Sequence, residues 1–327
     1  MKKRKIVSTL LALLLLASLP VSALAAEWDI SKGDITVNAG SGGQTVTQGG
    51  GAVVVDSAPV IMGSSTDNTL TINAEKDQPA SVTLSGVNID VSGKDKAAVS
   101  TTGEGNVSIE LDGENTLKSG YRHAGLEKNN GGSLTIQDED KNGKLTAEGG
   151  FGGAGIGGGS AGESYNGNGS DLTISGGEVK AIGGVSGAGI GGGSWGKGKD
   201  ITVSGVAKLK VQGGVEDDVD GVGAGIGDGG SNADGSYLGG SPVPGAEVEP
   251  DISGLTTGRI EYYAPGADME TDDPIRITRG TLPPPEKPIE PSAERGAAAP
   301  PLPHDRQGRQ GHGLHGRANG RRADRHR

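Results

Sequence analysis

From Trp28 onward the chain is written in short runs in which aliphatic and polar residues alternate, each closed by Gly, Asn, Asp or Ser. Asp34-Ile35-Thr36-Val37, Thr69-Leu70-Thr71-Ile72, Ser81-Val82-Thr83-Leu84, Asn88-Ile89-Asp90-Val91 and Val107-Ser108-Ile109-Glu110-Leu111 place aliphatics on one face and Thr, Ser, Asp or Glu on the other. A period of two marks a half-buried strand. Helical periodicity is not sustained beyond the first 25 residues, so the body is predicted to be nearly all β.

The later runs recur in a fixed order. One strand reads Leu134-Thr135-Ile136, then Leu172-Thr173-Ile174, then Ile201-Thr202-Val203. A second reads Lys144-Leu145-Thr146-Ala147, then Glu178-Val179-Lys180-Ala181, then Lys208-Leu209-Lys210-Val211. A Gly-Gly pair follows each, and then comes Gly-Ala-Gly-Ile-Gly, centred on Ala154, Ala188 and Ala224, with a decayed copy at Ala124-Gly125-Leu126-Glu127. The spacing of these copies falls in the window of roughly 20–50 residues that marks stacked repeats. Three short faces joined by glycine corners predict a right-handed parallel β-helix with three strands per coil, in which Leu134, Leu172 and Ile201 line up inside and the three alanines fill a narrow corner. The competing architecture is a sandwich or barrel of antiparallel hairpins; the constant three-part order favours the solenoid.

Composition agrees with a thin core. Gly accounts for 63 of 327 residues and aromatics for 2%, so a thick globular interior is not expected, whereas a stack needs only a few buried side chains per coil. There is no cysteine, which removes disulfides, thiolate catalysis and Cys-ligated zinc. The net charge of −11 hides basic ends around an acidic body, which disfavours nucleic acid and leaves room for divalent cations.

Lys2–Lys5, the apolar run from Ile6 to Leu19 and Ala23-Leu24-Ala25 together read as a secretory signal over residues 1–25, with no spanning helix expected in the mature chain. The expected layout continues with the β-helix over 26–240, a capping and exit segment over 241–282 built on Arg259–Tyr263 and Ile275–Ile277, and a proline-rich linker over 283–291. From 292 to 327 lysine is absent, arginine occurs eight times and four of the five histidines appear, a change of residue usage that reads as translation in a shifted frame; the alternative is a basic tail for anionic wall polymers.

Leu172-Thr173-Ile174-Ser175-Gly176-Gly177, Val179-Lys180-Ala181-Ile182-Gly183-Gly184 and Gly187-Ala188-Gly189-Ile190-Gly191-Gly192-Gly193-Ser194 resemble the repeats of secreted Gram-positive surface proteins, many from gut Firmicutes. More loosely they are similar to the β-helical carbohydrate-binding domain group of clostridia. The resemblance implies an extracellular β-helix, secreted or associated with the cell wall, that binds polysaccharide and, in the second group, calcium.

Gly153 to Gly158 satisfies G-x-G-x-x-G, but no helix follows to hold a pyrophosphate, so no nucleotide cofactor is expected. Glu216, Asp217, Asp218 and Asp220 form the best oxygen-rich cluster for Ca²⁺, against the reading as a solvated loop. Tyr165, Trp195 and Tyr237 each fall in the insertion after a Gly-Ala-Gly-Ile copy, and Tyr121 precedes the decayed one, so rings could line one edge and stack on sugar faces. No recurring constellation of acid, base and nucleophile is present, so the expectation is a surface or secreted glycan-binding module rather than an enzyme. A structural stalk or adhesin contacting host protein and a polysaccharide lyase are the alternatives.

Overall fold

The structure, a computed structural model, describes residues 25–160, 167–216, 218, 220–233 and 241–281. Residues 1–24, where a secretory signal is expected, the proline-rich linker and the arginine-rich tail lie outside the described residues. The described chain is an all-β solenoid of about six turns, stacked through parallel strands.

Each coil has three faces. Face one is built from the first half of Ala80–Asp90, then Val107–Asp112, Leu134–Gln137, Gly169–Ile174 and Gly198–Val203. Face two follows with the second half of Ala80–Asp90, then Glu114–Lys118, Lys144–Glu148, Glu178–Ile182, Lys208–Gln212 and Arg259–Tyr263. Face three runs from Ile35–Gly40 through Leu70–Ala74, Val99–Gly103, Leu126–Lys128, Ile156–Gly157 and Ile190–Gly191 to Ile226–Gly227. The strand Ala80–Asp90 merges two runs that the alternation separates. It bends at Gly86, whose φ of 65° only glycine adopts without strain, and so makes faces one and two a single hydrogen-bonded sheet.

Register follows the hydrophobic pattern, because a slip of one residue would turn every aliphatic outward. Leu134 pairs with Leu172 and Leu172 with Ile201, and all three are buried. On face two Leu145, Val179, Leu209 and Ile260 form the matching inner column. Face three contributes Leu126, Ile156, Ile190 and Ile226, with Ala154, Ala188 and Ala224 buried beside them in the corner. Gly157, Gly191 and Gly227 end this face with φ of 133°, 130° and 141°; a Cβ on Gly157 would sit 2.0 Å from the Gly191 carbonyl oxygen. The glycines are there because successive backbones touch.

Both ends depart from the coil. At the front, Gly43–Gln48 folds back antiparallel onto Ile35–Gly40 and carries the short strand Val54–Val55. The alternation does not predict this hairpin, since Gln44-Thr45-Val46-Thr47-Gln48 has a single aliphatic. At the back, Arg259–Tyr263 stacks in parallel on Lys208–Gln212, and Arg276–Arg279 closes the sheet antiparallel. Tyr262 plugs the last coil, with the Arg276 guanidinium 3.7 Å from its ring centroid, and burial pushes its phenol up to about 12.

Candidate functional site

The corner between faces two and three brings aromatic rings to the surface. Arg122 N–H donates to the Phe151 carbonyl, Gly152 N–H to Val185, and Ser186 N–H to Val215, so Tyr121, Phe151, Val185 and Val215 follow one another from coil to coil. Tyr121 is 49% exposed and Phe151 45%, and their rings stack with centroids 5.5 Å apart and planes 27° from parallel. The Arg122 guanidinium lies 5.1 Å from the Tyr121 ring centroid. Large apolar rings held in water on a rigid backbone are a platform for the apolar face of another ring, with a cation beside them to meet hydroxyls.

The turn carrying Tyr121 and Arg122 is pinned from below. Glu127 stands in register with Gly157, and its side chain is buried. One of its oxygens accepts from the Ala124 N–H at 3.0 Å and meets His123 Nδ1 at 2.8 Å, while the other accepts from Asn129 at 2.6 Å. Burial disfavours the His123 imidazolium, but Glu127 and then Asp95, 3.7 Å from Nε2, outweigh it and raise its pKa above the ordinary histidine value. Deeper in the same coil Lys128 is buried, its ammonium donating to the Asn130 carbonyl at 2.9 Å, and desolvation lowers its pKa.

Of the four expected aromatic residues, Tyr121 is at this corner, while Tyr165 and Tyr237 lie outside the described residues. Trp195 follows Ser194, whose N–H donates to Gly152 at the same corner, but the ring is half-buried. Its indole N–H donates to Asp220 at 2.9 Å, and Ser194 Oγ donates to the same carboxylate oxygen at 3.0 Å. One residue expected to meet sugar and one expected to bind calcium are thus partners of each other. Glu216 and Asp218 are exposed and Asp217 lies outside the described residues. Calcium takes roughly six to eight oxygens, and among the described residues no group of three acidic or histidine side chains gathers into such a cage. Phe151 was missed by reading the insertions alone. Its signal was available, since Tyr121 and Phe151 each stand three residues ahead of the alanine of their copy.

Face two carries a different surface. Glu114, Lys144, Glu178, Lys208 and Arg259 follow one another outward in register, with Lys144 bonded to Glu114 and Lys208 to Glu178, each at 2.8 Å. On face one the corresponding outward column is uncharged, Ser108, Thr135, Thr173 and Thr202.

Fold and surface together define a parallel β-solenoid with an exposed aromatic corner and a charged face. Comparison with protein-family models, curated sequences and solved structures found no match.

Proposed function

We propose that the chain is an exported surface or secreted module that binds carbohydrate, as the resemblance to Gram-positive β-helical repeats implies. The observation that carries this reading is the exposed, stacked pair Tyr121 and Phe151 with Arg122 beside it. A pyranose ring offers an axial C–H face that stacks on such rings, and the hydroxyls around it accept from guanidinium. Stacking of this kind contributes modestly per ring, so Tyr121 and Phe151 on adjacent coils act together, with Arg122 beside them.

A glycan array probed with the full chain, with and without calcium, tests the reading. Binding that falls at least tenfold in a Tyr121→Ala/Phe151→Ala variant with an unchanged unfolding midpoint supports it. Binding untouched by that variant removes the corner as the site, and silence across the array leaves the stalk. Release of unsaturated sugar would reveal a lyase instead. Calcium dependence that a Glu216→Gln/Asp217→Asn/Asp218→Asn variant removes would assign a role to the loop of Glu216, Asp217, Asp218 and Asp220.

A further inference from the structure

We propose that Asp56 is a built receptor for a new amino terminus: removal of residues 1–25 turns the Ala26 nitrogen into an ammonium that pairs with this carboxylate and completes the front cap of the solenoid. This rests on the export half of the reading above and is independent of any glycan. It gives removal of the expected secretory signal a consequence in the folded protein.

Asp56 directly follows the strand Val54–Val55 and is 1% exposed. Its backbone is clamped by Gln44 of the front hairpin: Asp56 N–H donates to the Gln44 carbonyl at 3.0 Å, and the Gln44 side-chain amide donates to the Asp56 carbonyl at 3.2 Å. The same Gln44 amide donates to the Ser81 carbonyl at 2.9 Å and accepts from the Ser81 N–H at 2.9 Å, which ties the hairpin to face one. The carboxylate is therefore held in place by the fold. One oxygen accepts from the Ala58 N–H at 3.1 Å; the other accepts from the Trp28 indole N–H at 2.9 Å and from the Ala26 N–H at 3.2 Å. All three donors are neutral, and no lysine or arginine among the described residues pairs with it. A buried carboxylate is costly unless an opposite charge accompanies it. The turn that Asp56 makes onto Ala58 uses one oxygen and is made as well by Asn, so it does not call for a charge there.

The missing cation has one source at hand. Ala25 is exposed and Ala26 half-buried, and the Ala26 carbonyl accepts from the Val60 N–H at 2.9 Å. From there Glu27–Asp29 runs in parallel register with Val60–Met62, so the Ala26 nitrogen is fixed 3.2 Å from Asp56 by pairing on its far side. Hydrolysis of the Ala25–Ala26 bond by the exporting cell's signal peptidase consumes one water and leaves a carboxylate on Ala25 and, at neutral pH, an ammonium on Ala26. The atom that donated as an amide then donates as a cation, and a charge-assisted bond is roughly twice as strong as a neutral one. The position of the cut matters. A terminus one residue longer moves the charge about 3.8 Å along the chain, onto exposed Ala25. The strand this pair secures, Glu27–Asp29, is an outer strand that pairs with Val60–Ser65 alone, at the end of a stack whose terminal strands need their own cover.

Amino-terminal sequencing of the chain secreted by a bacterial host tests the processing, with Ala26 expected first. The pairing is tested on that mature chain in four forms, with the amino terminus free or enzymatically acetylated and with Asp56 or Asp56→Asn, each followed by thermal unfolding and amide exchange. Acetylation keeps the N–H that donates to Asp56 and removes the charge. In the parent it is expected to lower the midpoint by about 2–6 °C and to speed exchange in Glu27–Asp29 and Val60–Ser65 at least tenfold. In the Asp56→Asn background it is expected to change neither. Asp56→Asn disturbs Trp28 and Ala58 on its own account, so the difference between the two acetylation effects carries the result. A chain that retains Ala25 is expected to behave as the acetylated parent does, and this comparison stands even if D56N does not fold. Equal acetylation effects in both backgrounds, or none in the parent, overturn the pairing and leave export intact. A secreted chain that begins elsewhere than Ala26 overturns the proposal without touching export, whereas a chain that is not exported at all removes both.

Discussion

At Gly191 the backbone φ is 130°, and a Cβ would stand 2.1 Å from the Gly227 carbonyl oxygen of the next coil. A side chain there meets strain and a backbone contact that cannot move without lifting a coil. Gly191→Ala is therefore expected to cost about 2–4 kcal/mol, read as a lower urea midpoint with unchanged slope. A midpoint unmoved would mean that the coils are looser than their hydrogen bonds indicate. His123 gives a residue-scale prediction of opposite kind. Its folded pKa is raised, so the native state holds the proton more tightly than the unfolded chain. That stabilisation is fully present below about pH 6.5, the unfolded value, and is lost as pH rises through the folded value. Unfolding midpoints of the parent should accordingly fall across neutral pH, and His123→Gln should flatten that slope. A parent profile no steeper than the variant's would refute the assignment.

At the scale of the element, what matters is which side of a strand a residue faces. Leu172 is buried between Leu134 and Ile201, so Leu172→Ala removes packing from three coils at once and is expected to cost about 2–4 kcal/mol in chemical unfolding. Glu114, whose bond to Lys144 is fully solvated, is the contrast: Glu114→Gln should leave the midpoint essentially where it was. Equal effects in the two variants would mean that the outer ladder, not the inner column, holds the stack. The inner register was legible because Leu-Thr-Ile recurs with its period of two intact. Other features were not. The hairpin at Gly43–Gln48 has too few aliphatics to announce itself, and the junction at Gly86 looks like a break rather than a bend. The aromatic corner was half legible, since Tyr121 was picked out and its stacking partner Phe151 was not. The bridge from Glu270 to Lys180 and Lys210 escaped altogether because it spans 90 and 60 residues, from a capping segment outside the repeat.

For the whole molecule, the decisive property is that each coil contacts only its neighbours, so the ends bear a burden that a globular core would spread out. Interior coils are covered above and below by the same sequence pattern, but the last coil must be covered by something different. Here that cover is Arg259–Tyr263, with Ile260 and Tyr262 buried, closed by Arg276–Arg279 and by the Arg276 guanidinium over the Tyr262 ring. Ending the chain after Gly240 would remove all of it. The Lys208–Gln212 strand would then present an unpaired edge, and Leu209 and Val211 would open to water beneath it. An open edge beside fresh apolar surface is a template for pairing with another chain. The truncated protein is therefore expected to show a larger mass by light scattering than the full chain at the same concentration, together with earlier loss of β signal on heating. Because contacts are between neighbours, that loss should begin at the cut end, with amide exchange rising first in Lys208–Gln212 and only later in Val107–Asp112. Uniform exchange along the stack, with unchanged mass, would mean that the coils unfold as one body and that the terminal strands are not its cap.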